Sequence, residues 1–375
     1  MLLVGSGLFA HSLYNLQNLD PGLKTDHLIS FTIDPSLSGY SQVRIRSLFQ
    51  NLQEKLSILP GVRAVSLAKW PALTGSEPRM TIKVEGYRPQ EGEAMSPVLN
   101  FVGQRYFSTM GIPLIAGREF TARDGTSSPK VVIINEKMSR HFFGGETPVG
   151  RYIGHAGVRD PIDIEIVGVV KDSKTITVRD EVAQCMYFPY WQDEGLDIMT
   201  FYARTTQRPE EVGPTLLRVV RELDPSPPVF ALKSVQLQIS ESLFIDRMVV
   251  MLSLSFGLLA TLLAAIGLYG VTVYSVVRRT REIGIRVALG ATGSDVLRLV
   301  MREVALMTGL GVAIGLPAAL ALNQVARSWL FGLTPYDPLT LTIAPALLIF
   351  VTLLSGVVPA RRATKVDPMV ALRYE

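Results

Sequence analysis

The chain has 375 residues, 48% of them hydrophobic, with a mean hydropathy of +0.28 and a formal charge of +4. That length accommodates two or more structural units of about 100–200 residues, and that hydropathy is high for a protein surrounded only by water. Residues 1–247 carry 26 basic and 27 acidic side chains and residues 248–375 carry 11 and 6, so the basic excess lies among apolar runs, which argues against a folded nucleic-acid-binding face. A single cysteine, Cys185, excludes an intrachain disulfide and a cysteine zinc cluster.

The chain opens on MLLVGSGLFAHSLYNLQNL, apolar at first and then amphipathic. It has no basic leader and no clear cleavage site, so a signal peptide fits poorly. It reads as the outer end of a transmembrane helix whose beginning is missing. Residues 28–34 predict a strand. Residues 42–58 predict a helix with Val43, Ile45, Leu48, Phe49, Leu52, Leu56 and Leu59 near one face. Pro60-Gly61 ends it, and 62–70 predict a second strand, completing a βαβ unit.

Residues ~79–195 are rich in short strand signals: MTIKVEGY, VLNFV, KVVIIN, IEIVGVV and QCMYFPY. One helix, Glu136–Phe143, interrupts this β-rich stretch. A second βαβ unit follows, with strands at 198–204 and 228–234 around a helix at Pro209–Leu223 that begins with Pro and Glu. Two such units so far apart predict one α/β subdomain carrying another as an insert.

Three stretches are long and apolar enough to cross a bilayer: Met248–Val277, Val304–Ala326 and Leu339–Val358. Arg278, Arg279, Arg281, Arg286, Arg298 and Arg302 lie between the first two. Arg361, Arg362, Lys365 and Arg373 follow the third, whereas the intervening short loop has only Arg327. The cations resist translocation, so the 278–302 loop and the C-terminus are expected in the cytoplasm and residues ~20–247 outside. Gly311 and Gly315 form a GxxxG that suits close helix packing in a bundle or dimer, and Pro317 in the same span invites a kink.

No GxxxxGK[ST], HExxH or GxSxG occurs, and His11, His27, His141 and His155 show no metal-ligand spacing. Nothing therefore points to an enzyme or to a directly bound cofactor. In the 278–302 loop, Arg278–Glu282 and Glu282–Arg286 are both spaced i,i+4, predicting a charged helix across Arg278–Ala288. Thr292 and Asp295 form a capping box for the next helix.

RRTREIGIRVALGAT after the first span, PARRATKVDPMVALRYE at the end, and NEKMSRHFFGGETPVGRYIG with IEIVGVVKDSK in the middle resemble the permease subunits of the MacB/FtsX type of ABC transporter. Among these the chain looks most like the C-terminal unit of a duplicated orphan permease of the acidobacterial type. The resemblance covers essentially the whole chain.

The resemblance implies a membrane protein of α+β class. It has a large extracytoplasmic α/β domain over 20–247, with porter-like parts about 25–75 and 197–240 and a β-rich insert about 79–195. An FtsX-like permease domain over 248–375 carries three transmembrane helices, and residues 1–19 are the end of a truncated first one. It further implies a permease in the inner membrane that couples ATP hydrolysis by a separate cytoplasmic ATPase to movement of its periplasmic domain, for export or extraction of a substrate. The docking segment would be Arg279–Thr292, with Arg279, Arg281, Glu282, Gly284, Arg286 and Gly290 at the matching positions. The implied partners are that ATPase, which binds the ATP, a second permease unit as a homodimer or fused pseudo-dimer, a periplasmic adaptor and the lipid bilayer. A membrane-anchored sensor or scaffold that signals to a periplasmic partner is the alternative.

Overall fold

A computed structural model describes residues 1–157, 161–325 and 338–363, which fall into two compact units. One comprises Leu19–Leu243; the other comprises Met1–Asn18 together with the chain from Phe244 onward. Ala326, Arg327, Lys365 and Arg373 lie outside the described residues.

In chain order the elements are α1 (Leu2–Gln17), β1 (Leu28–Ile33), α2 (Gln42–Ser57), β2 (Val62–Ala68), β3 (Ile82–Val84), β4 (Val98–Val102), α3 (Tyr106–Met110), β5 (Leu114–Gly117), β6 (Val131–Asn135) and α4 (Glu136–Phe143). Then come β7 (Tyr152–His155), β8 (Ile164–Val170), β9 (Cys185–Pro189), β10 (Met199–Thr205), α5 (Pro209–Leu223), β11 (Val229–Ser234) and α6 (Val235–Ser242). The chain continues with α7 (Phe244–Arg278), α8 (Thr280–Ala288), α9 (Gly293–Val325) and α10 (Pro338–Ala363).

The unit Leu19–Leu243 is built on one mixed sheet ordered β11-β1-β10-β2-β4-β9-β6-β8-β7-β3, with β5 on β8. The two βαβ units expected from sequence are present but interleaved. β1 pairs antiparallel with both β10 and β11, and β10 pairs antiparallel with β2. Each unit's two strands are thus parallel, with a strand of the other unit between them, an arrangement of split βαβ motifs. A helical crossover readily spans the ~10 Å across one intervening strand.

Helices α2 and α5 seal this part of the sheet through Ile45, Leu48, Phe49, Leu52, Leu56, Val212, Leu216 and Val220. Val43, assigned to the same face by its spacing, is instead 74% exposed, because at about 100° per residue it sits roughly half a turn round the helix from the stripe that meets the sheet. A second core gathers Ile82, Val84, Val132, Ile134, Met138, Phe142, Ile153 and Ile166 under α4. The two parts of the sheet meet through one registered pair, Ala68 and Val102. The short α3, β5 and β7 carry too few residues for a periodic signal and were not anticipated.

The other unit packs α1 against α7 and α10, and α9 against α10. Three helices, Phe244–Arg278, Gly293–Leu322 and Thr340–Arg361, are long and apolar enough to cross a membrane. Close approach occurs at particular glycines. A Cβ on Gly7 would lie 2.7 Å from Thr340 Cγ2, one on Gly257 3.1 Å from Ser6 Oγ, and one on Gly356 3.0 Å from Val304 Cγ2. Thr308 Oγ1 donates to Thr352 Oγ1 at 3.3 Å between α9 and α10, a polar tie of the kind that joins helices in lipid. Much of the apolar surface stays outward, with Leu263, Ile266, Ile314 and Phe350 all more than 60% exposed.

Candidate coupling site

The end of α7, the whole of α8 and the first turns of α9 hold the residues that the sequence singled out. The long helix turns at Arg279. Its N–H is shared between the carbonyls of Ser275 and Val276, both at 3.2 Å. Thr280 Oγ1 donates back to the carbonyls of Val276 and Val277 at 3.2 and 2.8 Å, a local bond that bends helices. A separate short α8 therefore replaces the continuous charged helix expected over Arg278–Ala288.

The turn breaks the i,i+4 relation across it. Glu282 binds Arg286 at 2.6 Å, while Arg278 makes no ion pair with Glu282 among the described residues. Helix α8 ends at Gly290, whose φ of +98° places it in the left-handed region. Ala291 N–H donates to Arg286 C=O at 2.9 Å, the long bond of a Schellman cap. Thr292 then opens α9. Its N–H and Oγ1 both donate to Asp295 Oδ2, at 2.9 and 2.7 Å, while Asp295 N–H donates to the Thr292 carbonyl at 3.0 Å, so only the carboxylate half of the expected capping box forms.

One face of α8 is anchored. Ile283 (2% exposed) packs with Val296 and Val276, and Gly284 is buried beside it. Glu303 of α9 accepts from Ser275 Oγ at 3.2 Å and from Arg279 Nη1 at 3.3 Å, tying the end of α7 to α9. Glu303 was not among the residues picked from sequence, since both its partners lie at least 24 positions away. The opposite face is open: Arg281, Ile285, Arg286 and Leu289 are exposed, Leu289 by 84%. Between α8 and α9 lies a pocket of about 260 Å³ with Ile283, Val296 and Leu299 as its apolar lining and Arg286, Arg298 and Arg302 as its cations.

Gly311 and Gly315 sit elsewhere on α9. They line a groove of about 280 Å³ with Leu3, Ala260, Thr261 and Pro345, and a Cβ on either would meet nothing within 4 Å. Cys185 is buried.

Three membrane-length helices and a large mixed-sheet unit of Leu19–Leu243 define a multi-pass membrane protein with a sizeable domain outside the bilayer. Residues 14–219 match the MacB-like periplasmic core domain and residues 254–368 match the FtsX-like permease C-terminal domain. The chain belongs to the family of permeases that carry a MacB-like periplasmic core domain followed by an FtsX-like permease domain.

The chain is 26% identical over 346 residues to the macrolide export ATP-binding/permease protein MacB of Agrobacterium fabrum, covering 88% of this chain and 51% of that protein. It is 26% identical to the probable syringafactin export ATP-binding/permease protein SyfD of Pseudomonas syringae pv. tomato, covering 73% and 42%. It is 24% identical to the pyoverdine export ATP-binding/permease protein PvdT of Pseudomonas aeruginosa, covering 69% and 40%. The chain thus spans about half or less of the length of these relatives. Among solved structures, the periplasmic region of MacB from Actinobacillus actinomycetemcomitans aligns at 16% identity with a TM-score of 0.39, over 59% of this chain and 94% of that one.

Proposed function

We propose that this chain is the permease part of an ABC export or extraction system, powered by an ATPase that grips α8. The observation that carries this reading is the two-faced setting of α8. One face is fastened to α7 and α9 by Ile283, Val296 and the Arg279–Glu303–Ser275 tie, and the other presents Arg281, Ile285 and Leu289 to a partner. A push on the outer face therefore passes into two long helices. Arg286, paired with Glu282, and Gly290, which ends the helix, keep that face in shape.

In this reading the chain lies in the inner membrane. Residues ~20–247 are periplasmic, and the 278–302 loop and C-terminus are cytoplasmic. ATP is bound by the partner and no cofactor is bound by this chain. A second permease unit, in a homodimer or as a fused pseudo-dimer of the acidobacterial type, packs on the α9 face that bears Gly311 and Gly315. A periplasmic adaptor is a further partner. The relatives' names support export as the direction.

The test is co-purification with the cognate ATPase from membranes, using wild type and the double charge reversal Arg281→Glu with Glu282→Arg. The reversal is expected to abolish ATPase retention. Retention equal to wild type, with undiminished ATP-dependent transport, removes α8 as the docking element. Topology is read separately: periplasmic reporter fusions within 330–336 should be active and a fusion at 290 silent.

A further inference from the structure

The unit Leu19–Leu243 contains a second concavity, unrelated to α8. A cleft of about 580 Å³ runs along α2, bounded on the other side by the start of α3 and the loop around residues 122–126. Its size lies within the roughly 300–1,000 Å³ typical of small-molecule sites. Gln50, Gln53 and Glu54 come from α2, Arg105 from the turn before α3, and Tyr190 and Trp191 from the segment after β9.

The far wall is braced. Trp191 Nε1 donates to the Asp124 carbonyl, Thr126 Oγ1 to the Trp191 carbonyl, and Gln192 Nε2 to the carbonyls of Asp124, Gly125 and Pro129. Arg105 has a φ of +57°, a conformation costly for a residue with a side chain and one that persists only where the surroundings impose it.

Three polar groups of the lining matter most, Tyr190 and the two exposed charges Arg105 and Glu54. Tyr190 is 5% exposed, its ring held in the core beneath the cleft. Burial, with the nearby Glu54 charge, pushes that phenol up to about 12, so it stays a neutral donor. Arg105 and Glu54 line the same cleft with opposite charges and form no ion pair with each other among the described residues. Glu54 accepts only a long 3.4 Å bond from Gln50 Nε2.

We propose that this cleft binds a short zwitterionic peptide or a peptide-like molecule. Arg105 takes its carboxylate and Glu54 its ammonium. The glutamine amides and the Tyr190 hydroxyl meet its backbone amides, and Trp191 carries an apolar side chain. Opposite charges on the lining, both open to solvent, favour such a ligand over a neutral sugar, which offers neither of them a charge-assisted hydrogen bond. The site stands independently of the ATPase reading, since its binding is measured with no ATPase present.

The test uses the full chain in detergent and a pool of four-residue alanine- and phenylalanine-containing peptides with free termini, with binding followed by equilibrium dialysis. Saturable binding is expected. It should weaken about tenfold when the same peptides are acetylated and amidated, and about tenfold in Arg105→Gln and in Glu54→Gln. Tyr190→Phe, which keeps the ring in its core, should weaken it about fivefold. Protection of Cys185 from thiol reagents in each variant reports an intact sheet. No saturable binding, equal binding of blocked and free peptides, unchanged affinity in the Arg105 and Glu54 variants, or displacement by maltotetraose overturns the proposal.

Discussion

Asp124 shows how a loop residue becomes structural through its partners. Its burial (4% exposed) opposes ionisation, but Arg118 binds both carboxylate oxygens at 2.7 Å and Thr121 N–H donates at 2.8 Å. The contest ends with the carboxyl held below the ordinary aspartate range. A carboxylate lowered on folding contributes stability that is complete above its unfolded value near 3.9 and is lost as pH falls through the lower folded value. Asp124→Asn is therefore expected to cost about 2 kcal/mol at pH 7 and to flatten the acid limb of a stability–pH profile below about pH 4. Thermal unfolding of both proteins at several pH values measures it. Cys185 behaves in the opposite sense: burial pushes its thiol up to about 11, so little thiolate exists at neutral pH. Maleimide should react with it at least about 100-fold more slowly in the folded chain than after denaturation. Nothing in the spacing of Arg118 and Asp124 announced their pairing, whereas a lone cysteine in an apolar strand was legible as a buried one.

At the scale of elements, α8 was the feature that the sequence displayed most openly and yet described incompletely. The Glu282–Arg286 pair and the Asp295 carboxylate on Thr292 follow from spacing along a helix. The turn at Arg279 does not, because it depends on how Thr280 answers the carbonyls of α7 and on the hold of Glu303. That hold joins half-exposed groups (side chains 51% and 34% accessible), so its worth is small. Glu303→Gln should raise hydrogen exchange across 279–291 about fivefold, equivalent to about 1 kcal/mol, with β-sheet protection unchanged. Gly290→Ala has open space for its methyl but a left-handed backbone. It should cost about 1 kcal/mol through backbone strain alone, visible as fraying of the last turn of α8.

For the whole molecule, the two units draw on different solvents. The sheet unit closes its own cores. The helical unit leaves Leu263, Ile266, Ile314 and Phe350 outward, which only lipid satisfies at low cost. Gly356→Leu forces a side chain into Val304 and should destabilise the helical unit in detergent by about 1–3 kcal/mol, while Cys185 in the sheet unit keeps its protection. Loss of both together would show that the units unfold as one.

What the sequence by itself determined is what short-range periodicity and composition control. It set the three membrane-length helices, the bounds of Glu136–Phe143 and Pro209–Leu223, the strands that end up fully buried, and the cationic stretch between two apolar runs. Only the tertiary structure decided what depends on residues far apart along the chain. It interleaved the two βαβ units, since strand order is a choice among packings and not a property of any one strand. It made close helix contacts within the chain at Gly7, Gly257 and Gly356 and left space beside Gly311 and Gly315, because a glycine's use depends on which helix face meets a neighbour. It also set Arg105, Glu54 and Tyr190 around one cleft, which no local pattern encodes.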